Sequence, residues 1–207
     1  MKCRSTGCIR PQNLLLTRKE FASRVSSSET SWPYVLVFTG MILTAMGSCY
    51  YHLAPDNDRL VWDRLPMTVV FMALVAAMII ERISVPIGLA LLAVLLLVGI
   101  ASVVQWHISE INGSGNVRFY AALQAYAVLL LLAIVLLPPR YTRSSDLAIV
   151  VGFYVLAKIT EAADRPIFAL GHIVSGHSIK HLAAAAAGLW ILRMLQKRRP
   201  VERAEFA

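Results

Sequence analysis

Residues 66–106 read PMTVVFMALVAAMIIERISVPIGLALLAVLLLVGIASVVQW. Two long apolar runs stand back to back, with a short break between Ile83 and Pro86. A helix that crosses a bilayer needs roughly 17–25 mostly apolar residues, and each run reaches that length. The first is expected to start after Pro66, since proline suits the opening turn of a helix, and to end near Ile83. The second runs from about Pro86 to Trp106. Four more segments of the same kind flank this pair. One precedes it, from about Pro33 to Tyr51. The others follow, from Phe119 to Leu137, from about Asp146 to Ala163, and from near His177 to near Leu195. Pro138-Pro139 closes the fourth span, and the alanine run 183–187 allows close helix contact in the sixth. The short semi-apolar stretch 166–175 has two readings, a re-entrant piece or an extension of the sixth span.

Composition agrees with this reading. Of 207 residues, 57% are hydrophobic and 15% charged, and the mean hydropathy is +0.63. A soluble domain carries about 25% charged residues. The expected fold class is all-α, a polytopic transmembrane helix bundle of six helices. It forms one domain over 31–196 between a basic N-terminal tail, 1–30, and a basic C-terminal tail, 197–207. The net charge of +8 does not indicate nucleic acid, because the basic residues fall mainly in tails and loops, where they set topology and meet lipid head groups. Residues 1–30 are not a signal peptide, as Leu14-Leu15-Leu16 is their only apolar run. Cys3, Cys8 and Cys49 are read as free thiols. Six spans put both tails on one side, together with Arg82, Arg140 and Arg143. The opposite side holds Arg59, Arg64, Arg118 and Arg165 among several acids. The positive-inside rule then makes both termini cytoplasmic.

Five polar residues lie in or beside the apolar spans: Ser48, His52, Asp63, His177 and His181. Ionisable groups are costly in such places and mark function by default. Residues four apart share a helix face, so Ser48 stacks beside His52, and His177 beside His181. The segment boundaries put all five at similar depth on one face of the bundle. Three imidazoles and a water fit an open catalytic zinc site. Neutral imidazole suits a low-dielectric setting. Asp63 could shuttle a proton, and Ser48 could donate to a developing oxyanion. A Ser-His-Asp triad competes for Ser48, His52 and Asp63, but leaves His177 and His181 without a use. Each residue also has a plainer reading. A single membrane histidine often bonds a neighbouring helix, Ser48 could bond its own i−4 carbonyl, and Asp63 could only cap the second span. His172 is read first as a loop histidine and otherwise as a support for the ligands. Lys158 and Glu161 form an expected pair, while Glu161 and Asp164 are candidates for substrate contact. His107 is read as interfacial, and Trp62 and Trp106 as an aromatic belt.

The stretch Gly47-Ser48-Cys49-Tyr50-Tyr51-His52-Leu53-Ala54-Pro55-Asp56-Asn57, continuing Leu60-Val61-Trp62-Asp63-Arg64-Leu65-Pro66-Met67-Thr68, resembles the first signature of the alkaline ceramidase (alkaline phytoceramidase) family. Ser175-Gly176-His177-Ser178-Ile179-Lys180-His181-Leu182-Ala183-Ala184 resembles the second. That family belongs to a wider superfamily of membrane hydrolases, which also holds the adiponectin and progestin receptors. Its hallmark is S-x-x-x-H, a downstream Asp and a C-terminal H-x-x-x-H, and here the Asp follows the first His by eleven positions, as in the ceramidases. The resemblance covers about residues 40–195 and has the flavour of the bacterial members, which implies a bacterial inner membrane. It implies a seven-helix bundle with Zn2+ held by His52, His177 and His181, Asp63 bonded to the zinc-bound water and Ser48 close to the metal. The implied reaction is hydrolysis of the amide of ceramide, or a related membrane lipid, to a sphingoid base and a fatty acid. Six spans are counted here, whereas the family has an additional helix before S-x-x-x-H. Its animal members bind calcium through an acidic N-terminal segment. Residues 1–30 offer only Glu20 and Glu29, so calcium is not carried over. Other functions on the same scaffold are a lipid esterase and a receptor with a structural zinc site. A proton or metal transporter is disfavoured, since the polar residues cluster at one face.

Overall fold

The computed structural model describes residues 31–201. In this range the chain forms seven helices: α1 (Trp32–Leu53), α2 (Asn57–Arg82), α3 (Val85–Ile111), α4 (Arg118–Val135), α5 (Asp146–Ala162), α6 (Asp164–Gly171) and α7 (Gly176–Lys197). The basic tail at 1–30 and the last six residues lie outside the described range. The chain is thus an all-α bundle. Helices α1 to α4 are each long and apolar enough to cross a membrane, which is compatible with a membrane protein.

Helix α2 is the hub. It is apolar on every side over its second half, and such a helix belongs in the interior. Residues 72–81 are buried without interruption. Helices α1, α3 and α4 pack on it, and α5 pairs with α7. An edge-to-face contact of Phe71 with Tyr154, at 5.3 Å, joins α2 to α5. The surrounding helices turn large apolar side chains outward: Ile42, Leu97 and Leu129 are each more than 60% exposed. Apolar surface this extensive has a natural partner in lipid.

The sequence expectation is corrected at α2. The helix does not begin after Pro66. It begins at Asn57, where the Asp56 carboxylate accepts a hydrogen bond from the Arg59 backbone N–H at 2.7 Å, and this satisfies one orphan donor of the first turn. Pro66 is buried inside the helix. Proline has no N–H, so it forfeits the bond to the carbonyl four residues earlier, that of Trp62. The freed Trp62 carbonyl is covered by Gly47 of α1, where a Cβ would overlap it. The proline and the glycine are therefore one device, and it presses the Ser48 end of α1 onto the backbone of Trp62 and Asp63.

The stretch 166–175 resolves into the short helix α6 and a turn. The seventh helix is therefore α6, not a helix ahead of S-x-x-x-H. An additional helix there would fall among residues outside the described range. Trp106 is also corrected. It is 2% exposed, and its Nε1 donates to Glu110 Oε1 at 2.9 Å, so it is no belt residue. Trp62 is exposed, as expected. His107 faces Asp58 at 3.7 Å, and Cys49 is a free thiol.

At the end of the bundle where α2 finishes, Tyr34 donates to Glu81 Oε1 at 2.9 Å, and Arg198 pairs with the same carboxylate. Arg198 also stacks on Tyr141, 4.5 Å from its ring centre. Arg140 donates to the Ile83 carbonyl at 3.1 Å, and Arg143 pairs with Asp146 at 2.8 Å. The basic residues that set the expected topology thus gather at one end. The S-x-x-x-H and H-x-x-x-H segments meet at the other.

Candidate metal centre

The last turn of α1 carries His52, and the first two turns of α7 carry His177 and His181. The two histidines on α7 are four apart and share a face. The His177 Nε2 lies 3.0 Å from the His52 Nε2 and 3.0 Å from the His181 Nε2. One nitrogen of each of the three rings lies within 4.8 Å of the others. Among the described residues this is the one group of three or more His, Cys, Asp or Glu side chains placed to share an ion. His177 is half-buried, and His52 and His181 are exposed.

Hydrogen bonding accounts poorly for this arrangement. A neutral imidazole nitrogen holds either one proton or one lone pair. The His177 Nε2 would have to split that single group between two neighbours. A cation satisfies all three lone pairs at once. Four-coordinate zinc with Zn–N of about 2.0–2.1 Å sets its nitrogens roughly 3.3 Å apart, close to the two 3.0 Å separations. The ligand set, three imidazoles, fits zinc by chemistry, and two of its three nitrogen separations, at 3.0 Å, are near the value for tetrahedral zinc.

The seam at Gly47 sets the backbones at Ser48 and Asp63 side by side. A Cβ at Gly47 would crowd the Asp63 backbone nitrogen at 3.1 Å, so the two helices touch backbone to backbone beside both residues. Ser48 is buried, and its hydroxyl has no hydrogen-bond partner. The back-bond to its i−4 carbonyl, the plain reading of this residue, is not made. Thr44 one turn earlier does make such a bond, to Gly40 at 2.8 Å. Asp63 lies within α2, and Asp56 holds the capping position, so the capping reading of Asp63 is overturned. The Asp63 charge is felt at His181.

The start of α7 is fixed from two sides. The Asp164 Oδ1 accepts from the His177 backbone N–H at 2.7 Å, and the Ser175 hydroxyl oxygen accepts from the Ser178 N–H at 3.1 Å. Gly176 sits on the Thr160 carbonyl, where a Cβ would overlap it. That carbonyl is among the last of α5, beyond which the intrahelical ladder stops. Each glycine that precedes a motif residue therefore packs on a helix carbonyl short of its own partner. Asp164 holds the backbone that carries His177, not the imidazole.

Glu161 pairs with Lys158 at 2.9 Å, as the sequence suggested, and with Lys180 of α7 at 2.8 Å. It is therefore a clamp between α5 and α7. Lys180, between the two histidines in sequence, escaped the sequence reading, although a lysine within a ligand motif and a glutamate on the preceding span were the signal. His172 is not brought to the cluster. It caps α6 in the left-handed region at φ 55° and stacks on Phe168 at 5.4 Å, which makes it a loop histidine.

Comparison with family models, with curated proteins and with solved structures gives no match. The functional reading therefore rests on the residues and their geometry.

Proposed function

We propose that the protein is a zinc-dependent membrane hydrolase that cleaves the amide bond of ceramide or a related lipid amide. The observation that carries this reading is the convergence of three histidine nitrogens beside a buried, unbonded serine hydroxyl and the Asp63 segment. Zinc, when bound, supplies a Lewis acid and makes a ligated water acidic at a pH of about 7. His52, His177 and His181 would hold it through neutral imidazoles. Asp63 takes the proton of the attacking water and passes it to the leaving nitrogen as the C–N bond breaks. The Ser48 hydroxyl donates to the carbonyl oxygen as negative charge builds on it. The products are a fatty acid and an amine, which for ceramide is the sphingoid base. The oxyanion function gives the buried Ser48 hydroxyl the partner it otherwise lacks.

The test is a panel of lipid amides and lipid esters of matched chain length, offered in detergent micelles. The amides are expected to be cleaved, with ceramide-like compounds among the best. Ester cleavage alone would assign the same site to a lipid esterase, and binding without cleavage would favour a receptor.

The orientation is proposed on the same footing. The end of the bundle rich in arginine faces the cytoplasm, in a bacterial inner membrane, and the histidine end opens to the other side. A two-tailed lipid then reaches the centre sideways from the outer leaflet. Cysteine placed at the exposed Asn57 is expected to react with a membrane-impermeant thiol reagent added to intact cells. Cysteine placed at Ser145 is expected not to react, with Cys3, Cys8 and Cys49 replaced in both cases. The reverse labelling would put the site on the cytoplasmic face.

A further inference from the structure

Two of the three proposed ligands sit on α7, and their use depends on how that helix is turned about its axis. The contacts at its start, from Asp164, Ser175 and Gly176, all act on backbone within residues 175–178. They fix where α7 begins and leave its rotation to side chains further on. Among the described residues, the only ion pair made by α7 is that of Lys180, whose Nζ lies 2.8 Å from Glu161 Oε1 on α5. The Lys180 side chain is 22% exposed, which is low for a lysine. The other oxygen of Glu161, Oε2, takes Lys158 at 2.9 Å. That second pair lies within α5 and joins no two helices. Lys180 is thus the residue that ties α7 to α5 by charge, and it stands between His177 and His181 in sequence.

Helical geometry gives the tie a direction. At 3.6 residues per turn, His181 projects about 100° round the helix from Lys180, and His177 about 60° round in the same sense. With Lys180 drawn to α5, both imidazoles are carried to one side of it. There they meet His52 of α1, with ring centres 4.8 and 5.8 Å from that of His52. A rotation of α7 would move both nitrogens away from His52 together.

We propose that Lys180, through Glu161, is a positioning residue for the metal: it sets the rotation of α7 that brings His177 and His181 to the ion shared with His52. This rests on the zinc reading of the three histidines. Lys180 is not itself a ligand, since an ammonium has no lone pair to give. Two effects of Lys180 on zinc oppose each other, and their signs separate the two roles. As a cation near the ligands it repels a second cation, so its charge alone weakens zinc binding. As a positioning residue it strengthens zinc binding. Its removal therefore tightens binding if only charge counts, and loosens binding if position counts.

Zinc affinity is measured on the full chain in detergent, by competition with a coloured chelator, which needs no turnover. Lys180→Met keeps the length and loses the charge. It is expected to bind zinc at least about tenfold more weakly than the wild type, the scale of loss when a support behind a metal ligand is removed. Lys180→Arg can reach the same carboxylate and is expected to retain most of the wild-type affinity. Lys158→Met is expected to stay close to the wild type. The Lys180–Glu161 pair is partly exposed, so metal-free Lys180→Met is expected to unfold near the wild-type midpoint. Zinc binding by Lys180→Met that equals or exceeds the wild type overturns the proposal, and so does an equal loss in Lys158→Met. If Lys180→Met does not fold, Glu161→Gln loaded with Co2+ takes its place. The visible bands of bound Co2+ report ligand geometry, and they are expected to differ from those of the wild type; identical bands overturn the proposal. Wild-type protein that binds no zinc overturns the zinc reading and this proposal together. Wild-type binding that Lys180→Met leaves intact overturns this proposal alone.

Discussion

Replacing His177 with alanine is expected to remove the metal and the activity together. His177 is the middle member of the three proposed ligands, with its Nε2 3.0 Å from both other nitrogens. Without it, His52 and His181 remain on separate helices, α1 and α7, and two imidazoles do not make a structural or catalytic zinc site. The loss should be complete within the sensitivity of metal analysis, against about one zinc per chain in the wild type. The fold should survive, because His177 is half-buried and the start of α7 is held by backbone contacts to Asp164 and Thr160. A His177→Ala protein that keeps its zinc and its turnover would place the metal elsewhere.

Asp63→Asn separates metal binding from proton transfer. The amide keeps the size and shape of the carboxylate and loses its basicity. Zinc content is expected to stay at the wild-type level, while turnover of a lipid amide falls by about 10²–10⁴-fold. The comparison is informative because Asp63 has no capping duty: Asp56 performs it, seven residues earlier. A loss of stability alone is therefore not the expected result. Near wild-type turnover in Asp63→Asn would remove the carboxylate from the mechanism and leave its place beside Gly47 as packing.

Much of the helix plan was legible in the sequence, because long apolar helices announce themselves by length and apolarity; of the six expected spans, α1 to α4 are long and apolar enough to cross a membrane. The limits of α1, α4, α5 and α7 lie within about two residues of the expected ones, while α3 runs on past Trp106 to Ile111. The start of α2 was not legible. Pro66 looks like the opening of a helix in isolation, and only the tertiary contact of Gly47 with the Trp62 carbonyl shows how a buried interior proline is accommodated. Trp106 misled for a related reason. An aromatic near the end of an apolar span resembles a belt residue, and nothing local reveals that Arg64 stacks on it from another helix.

The three histidines were legible because two periodicities coincide. The i, i+4 spacing fixes His177 and His181 on one face, and the order of the helices brings His52 to the same end of the bundle. Asp164 and Lys180 were less so. Asp164 acts on a backbone N–H thirteen residues away, across the turn after α6, and Lys180 is held by a glutamate on another helix. Neither relation has a sequence period. His172 was read first as a loop histidine, and the left-handed turn at the end of α6 places it so, outside the cluster.

The most direct test of the account is hydrolysis of a lipid amide by protein purified without chelators, assayed as isolated, after removal of metal, and after zinc is returned. The account predicts about one zinc per chain at the start, loss of cleavage when the metal is stripped, and recovery when zinc is restored. Cleavage that persists unchanged in protein free of metal, or metal-loaded protein that cleaves no lipid amide, would contradict it.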